Sequence, residues 1–188
     1  MKKTVLTFGL IGGAILAAMM FATLPFMDKI GFDRGEIVGY TTMILAFMLV
    51  FFGIRSYREN VGQGHITFGR AFVVGILITL VACVCYVVAW EILYFKFMPD
   101  FADKYAGYMV EKVRASGASQ QVIDAKLQEM KSFKAMYDNP FINAAITFTE
   151  PFPIGLIVTL ISAAILRKKT TAATRDEGSA QLPVQQEN

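Results

Sequence analysis

Charge is what this sequence has least of. Only 18% of its 188 residues are Asp, Glu, Lys or Arg, whereas an ordinary soluble domain carries roughly a quarter. The formal net charge of +3 is small and makes no case for nucleic acid as a partner, which would need a clustered basic face with a supporting motif. Histidine is almost missing. His65 stands alone in a glycine-containing loop, without the Cys/His spacing that a zinc site requires. Cys83 and Cys85 are the only cysteines. Two apart on a helix, they point to nearly opposite faces and cannot bridge each other, so they read as small packing residues. There is no Walker loop, dinucleotide fingerprint, nucleophile elbow or zincin helix. No metal, no cofactor and no enzymatic activity are therefore expected.

What the chain has instead is apolar length. Hydrophobic residues make up 55% and aromatics 13% of a chain about one domain long. Four stretches stand out, at about residues 4–26, 36–54, 71–95 and 140–166. A helix needs about 20 mainly apolar residues to cross a hydrocarbon core, and these reach or nearly reach that length. The expected fold is all-α: an integral membrane four-helix bundle with the lipid bilayer as its first partner. Lys2-Lys3 ahead of the first stretch also suits a signal peptide. Its apolar run, however, outlasts the roughly 7–15 residues of a cleavable core, and bulky Met19, Met20 and Phe21 stand where cleavage wants small residues. A retained helix is expected.

Orientation follows from the short connections. Lys2 and Lys3, then Arg55, Arg58 and Arg70, then Arg167, Lys168 and Lys169 fall on one side of a four-helix chain. In the loop from Met27 to Gly35, Lys29 and Arg34 are offset by Asp28 and Asp33. Positive-inside logic places both termini in the cytoplasm of an inner-membrane protein. The segment at about 97–139 is too long for a structureless loop. Phe101, Tyr105, Tyr108, Met109 and Val113 recur at helical spacing, Ser116 to Ser119 interrupt, and Ile123, Leu127, Met130, Phe133 and Tyr137 resume it. An amphipathic helical hairpin outside the membrane is predicted, with Ser119 as an N-cap. Tyr94 and Trp90 suit an interfacial aromatic belt. Residues 170–188 are polar and aperiodic, and are expected to be a disordered tail.

Small residues spaced by four mark helix packing: Gly9 and Gly13 on the first helix, Gly75 on the third, Gly155 on the fourth. Packing within the chain is one use of these faces, and a homo-oligomer through Gly9 and Gly13 is the other. Two acids lie inside apolar stretches, Glu91 and Glu150. Such residues are costly in a membrane and usually face a partner or a cavity. Glu91 continues the Gly75 stripe, while Glu150 shares a face with Asn143 and Thr147. Pro151 and Pro153 follow at once, so a break is expected there, with Glu150 capping the half-helix that begins at Pro151. Glu91, Glu150, Asn143 and Thr147 together form the candidate proton, cation or ligand site.

Tyr57-Arg58, Gly62, Thr67 to Phe72 and Gly75 form one punctuated block, and Glu150, Phe152, Gly155 to Val158, Ile161 to Ala163 and Ile165 to Lys169 another. With the hairpin between them, they resemble the bacterial membrane family catalogued as domain of unknown function 4199, over about residues 1–169. The resemblance implies a small four-helix envelope protein and carries no catalytic residues, because that family has no assigned activity. Two functions then compete. One is an envelope scaffold or accessory subunit that meets a protein partner through the hairpin. The other is a small transporter or channel-like protein that uses Glu91 and Glu150.

Overall fold

A computed structural model describes residues 1–23 and 26–168; the segment expected to be a disordered tail lies outside the described residues. Among them the chain is all-helical, in the order α1 (Lys2–Thr23), α2 (Met27–Asn60), α3 (Phe68–Ile92), α4 (Phe101–Ala115), α5 (Gln120–Tyr137), α6 (Pro140–Phe148) and α7 (Pro151–Leu166). A π-helical segment, Leu93–Phe97, prolongs α3. Four spans are long and apolar enough to cross a membrane: Lys2–Thr23, Lys29–Asn60, Phe68–Phe97 and Pro140–Leu166. Between 28% and 44% of each apolar window is buried inside the protein. The remainder, including Leu10, Leu45, Val84 and Ile165, needs an apolar solvent, which a bilayer supplies.

Helix α2 runs well beyond the apolar stretch at 36–54, and the expected loop at its start is helical. Gly31, with φ of 72°, interrupts it after one turn, a conformation that costs glycine little. Charged residues at both ends continue the helix past the apolar zone, which hydropathy alone does not report.

Central α3 packs against α1, α2 and α7. The small residues set these contacts. A Cβ on Gly9 would stand 2.7 Å from Val81 Cβ, and one on Gly13 would collide with Cys85. A Cβ on Gly75 would stand 2.7 Å from Thr159 Cγ2, and one on Gly155 would overlap Thr79. The Gly9 and Gly13 face is thus covered by this chain's own α3. Across the α3–α7 seam Thr79 Oγ1 lies 3.1 Å from Thr159 Oγ1 and 3.4 Å from the Gly155 carbonyl, interhelical hydrogen bonds that close backbone approach permits.

The basic end is tied by the residues that carry the family resemblance. Thr67 caps α3 by accepting from the Arg70 N–H. Arg70 Nε donates to the Tyr57 hydroxyl at 3.2 Å, and Arg58 Nη1 donates to the Leu166 carbonyl at 3.3 Å, near the end of α7. Ile66 and Lys168 exchange backbone hydrogen bonds of 3.0 and 2.8 Å. His65 bonds within its own turn, its ring Nδ1 3.1 Å from the Gln63 carbonyl.

At the other end α4 and α5 pack together, and α4 meets the start of α2 through rings and an ion pair. The Phe32 ring lies 5.8, 5.4 and 5.0 Å from those of Phe101, Tyr105 and Tyr108. Lys112 pairs with Asp33 at 2.8 Å, and Lys134 pairs with Asp103. Three details depart from the sequence expectation. Leu127 is exposed while Lys126 is half-buried, because the buried row Ile123, Met130 and Tyr137 has a seven-residue period that either neighbour could fill. Ser119 occupies the N-cap position of α5 but its hydroxyl makes no capping bond. Tyr94 is buried, with its hydroxyl donating to Asp138 at 2.7 Å, and Trp90 meets Phe101 edge-on at 5.0 Å; both rings face α4 and α5 rather than an open belt.

Candidate functional site

The site is built around the interruption between α6 and α7. Asn139 starts α6, its side-chain oxygen accepting from the N–H groups of Phe141 and Ile142. One turn past Phe148 the chain meets Pro151 and Pro153, neither of which has an N–H to donate. The half-helix α7 begins at Pro151, with Glu150 at the N-cap position. The expected capping by the Glu150 side chain does not occur: it makes no cap hydrogen bond, and its backbone is right-handed helical. The reason is local. Prolines fill two of the first three positions of α7, which leaves little there for a carboxylate to cap. Glu150 turns to a neighbouring helix instead, where its Oε2 accepts a 2.8 Å hydrogen bond from the Tyr86 hydroxyl of α3.

Asn143 and Thr147 are fully buried and serve each other. Asn143 Oδ1 accepts from Trp90 Nε1 and from Thr147 Oγ1, both at 3.1 Å, while Asn143 Nδ2 donates to the Tyr137 carbonyl at 3.1 Å. The single Thr147 proton goes to Asn143, so the Tyr137 hydroxyl, 3.4 Å away, is the donor in that contact. This network satisfies a buried amide by linking α6 to α3 and α5. It positions rings and does not itself face a cavity.

Beside it lies a cleft of about 610 Å³, within the range of small-molecule sites. Its walls are Leu16, Met19 and Met20 of α1, Tyr40 and Met43 of α2, Tyr86 and Trp90 of α3, and Tyr105, Phe133 and Tyr137 of α4 and α5. Three carboxylates line it, Asp33, Glu36 and Glu150, with Lys112 beside Asp33. Glu91 does not line it; its Oε1 is shielded and takes no hydrogen bond. The structure therefore brings Glu150 to a common cavity with Glu36 rather than with Glu91, and places Asn143 and Thr147 behind the wall. Sequence reading missed Glu36, because an acid at the first position of an apolar stretch looks like helix-end punctuation.

Where Lys112 lines the cleft its charge is matched: the Asp33 carboxylate, first, and the Tyr108 hydroxyl, second, hold its ammonium well above the usual lysine range. Outside the cleft, Asp103 raises the pKa of Lys134 on α5. Among the described residues no group of three His, Cys, Asp or Glu side chains is placed to hold a metal ion.

Fold and cleft together define a small all-helical membrane protein with an aromatic, acid-bearing cavity at one end. The chain belongs to the family described as protein of unknown function (DUF4199), which it matches over residues 7–168. The curated proteins contain no match and neither do the solved structures.

Proposed function

We propose that this chain is a non-enzymatic, multi-pass membrane protein that holds a small molecule in the aromatic cleft, with α4 and α5 as a cover lying outside the bilayer. The observation that carries this reading is the cleft itself, a cavity of about 610 Å³ lined by rings from α2, α3, α4 and α5 and by the carboxylates of Asp33, Glu36 and Glu150. Such concave, largely apolar sites with a few convergent polar groups are where small ligands bind. The α4 and α5 helices support the role of cover: they supply Phe101, Tyr105, Phe133 and Tyr137 to the cavity, and the one charged residue they bring to it, Lys112, is paired with Asp33.

The positive-inside rule supports an orientation. Arg58, Arg70 and Lys168 share one end of the long helices, and Lys2 and Lys3 start α1 there. With that end in the cytoplasm, the cleft opens toward the outer side of a bacterial inner membrane. A scaffold role has a narrower basis. Val122, Leu127 and Met136 leave apolar surface exposed on α5, which a protein partner would cover.

The chain carries its own reporter, since Trp90 is the sole tryptophan and lines the cleft. In lipid nanodiscs, a panel of amphipathic compounds of positive, negative and zero charge should include at least one that shifts Trp90 emission saturably. Uniform, unsaturable responses across the panel would overturn the ligand-binding reading.

A further inference from the structure

We infer that the cleft selects an organic cation, an ammonium group on an apolar body, held between Glu36 and Glu150 and faced by the rings of Tyr40, Tyr86 and Trp90. This inference rests on the cleft being a ligand site and adds the chemical class of the ligand.

Charge balance comes first. Of the titratable groups facing the cleft, Lys112 and Asp33 neutralise each other at 2.8 Å. Glu150 spends one oxygen on the Tyr86 hydroxyl. Glu36 is exposed and has no hydrogen-bond or ion-pair partner among the described residues. The cavity thus keeps two carboxylates, Glu36 and Glu150, without a cation. A positively charged guest would supply the missing partner.

The rings supply the rest. A cation is attracted to the face of Trp, Tyr or Phe within about 6 Å of the ring centre, and cages of such rings recognise quaternary ammonium groups. The same wall already shows the interaction, with Lys112 Nζ 5.5 Å above the centre of the Tyr108 ring. Tyr86 joins the two features. Its hydroxyl binds Glu150 and it also lines the cavity, so one residue ties the acid to the aromatic wall. An anionic guest would meet two carboxylates, and a neutral one would leave them unmatched. Ammonium chemistry has two sources in a membrane, a choline or ethanolamine lipid headgroup and a free amphipathic amine.

The test uses the full chain in nanodiscs of phosphatidylglycerol, which has no ammonium headgroup. Trp90 emission is titrated with benzyltrimethylammonium, with its neutral carbon isostere neopentylbenzene, and with phenylmethanesulfonate. The expected result is a saturable response to the cation at least about tenfold tighter than to the other two, the scale of one fully formed charge contact. Glu36→Gln and Glu150→Gln should each weaken it about tenfold, whereas Glu91→Gln, outside the cleft, should not. Glu36 is exposed and unpartnered, so its variant folds even where Glu150→Gln does not. Equal affinity for all three probes, or a cation response untouched by Glu36→Gln, would overturn the ammonium assignment while leaving the cleft as a ligand site. No saturable response to any probe would overturn both. Repeating the titration in phosphatidylcholine discs separates the sources: a lost response marks the lipid headgroup as occupant, a retained one a free amine, and either keeps the ammonium assignment.

Discussion

The hydroxyl of Tyr86 donates a 2.8 Å hydrogen bond to Glu150, joining the last third of α3 to the interruption between α6 and α7. Through this bond the double-proline turn presents its carboxylate to a cavity instead of to its own helix end. Replacing Tyr86 by Phe removes the donor and keeps the ring. Interhelical hydrogen bonds in membranes contribute roughly 0.6 to 1.7 kcal/mol. Tyr86→Phe should therefore lower the thermal midpoint in detergent by a few degrees and weaken ligand binding. An unchanged midpoint and affinity would mean that Glu150 is held by something else.

The glycines divide sharply by environment. A side chain at Gly155 would overlap Thr79 and Phe47, whereas nothing lies within 4 Å of a Cβ at Gly39. Gly155→Val should destabilise by about 1–3 kcal/mol or more, the usual cost of overpacking. Gly39→Leu should leave the fold intact, because α2 gains helix propensity, yet fill the cleft that Gly39 lines. The informative outcome is a normal unfolding midpoint with the Trp90 response abolished. A normal response in Gly39→Leu would move the ligand elsewhere.

Burial on α5 gives a third contrast. Met130 is 6% exposed and Leu127 is 38% exposed. Met130→Asp should open α4 and α5 to limited proteolysis, since it buries an unpaired charge. Leu127→Asp should be cut no faster than the parent chain. Similar cleavage of both variants would contradict the observed docking face.

Topology is open to chemical labelling. In a chain with Cys83 and Cys85 replaced by Ala, Ser116→Cys should react with an impermeant thiol reagent on intact cells and Val61→Cys should not. Both positions are exposed in the fold, so the side of the membrane decides the outcome. Reaction at Val61→Cys alone would invert the orientation. Reaction at both would remove one of the spans.

Much of this architecture was legible because membranes enforce it. The four apolar spans follow from length and composition, and the interruption before α7 follows from Pro151 and Pro153, whatever their surroundings. The limits are equally physical. Repeats such as Ile123, Met130 and Tyr137 fix one edge of a helix face, but whether Lys126 or Leu127 completes it depends on what the helix meets. The acids show the same limit. Glu91 and Glu150 are conspicuous in sequence because each interrupts an apolar run. Glu36 sits where such a run begins, and only the folded position of α2 beside α3 brings it to the cleft. Stripe arithmetic aligned Glu91 with the packing glycines of α3, yet it says nothing about which cavity a side chain reaches.

The most direct test of the cleft as the functional site is to locate a bound cation by its scattering. A crystal grown from a lipid mesophase with 4-bromobenzyltrimethylammonium would report the bromine by anomalous diffraction. The account predicts one dominant peak inside the cavity, bounded by Tyr86, Trp90, Glu36 and Glu150, with the ammonium beside the two carboxylates. A bromine peak only on the outer surface of α4 and α5, or an empty cleft at saturating ligand, would contradict it.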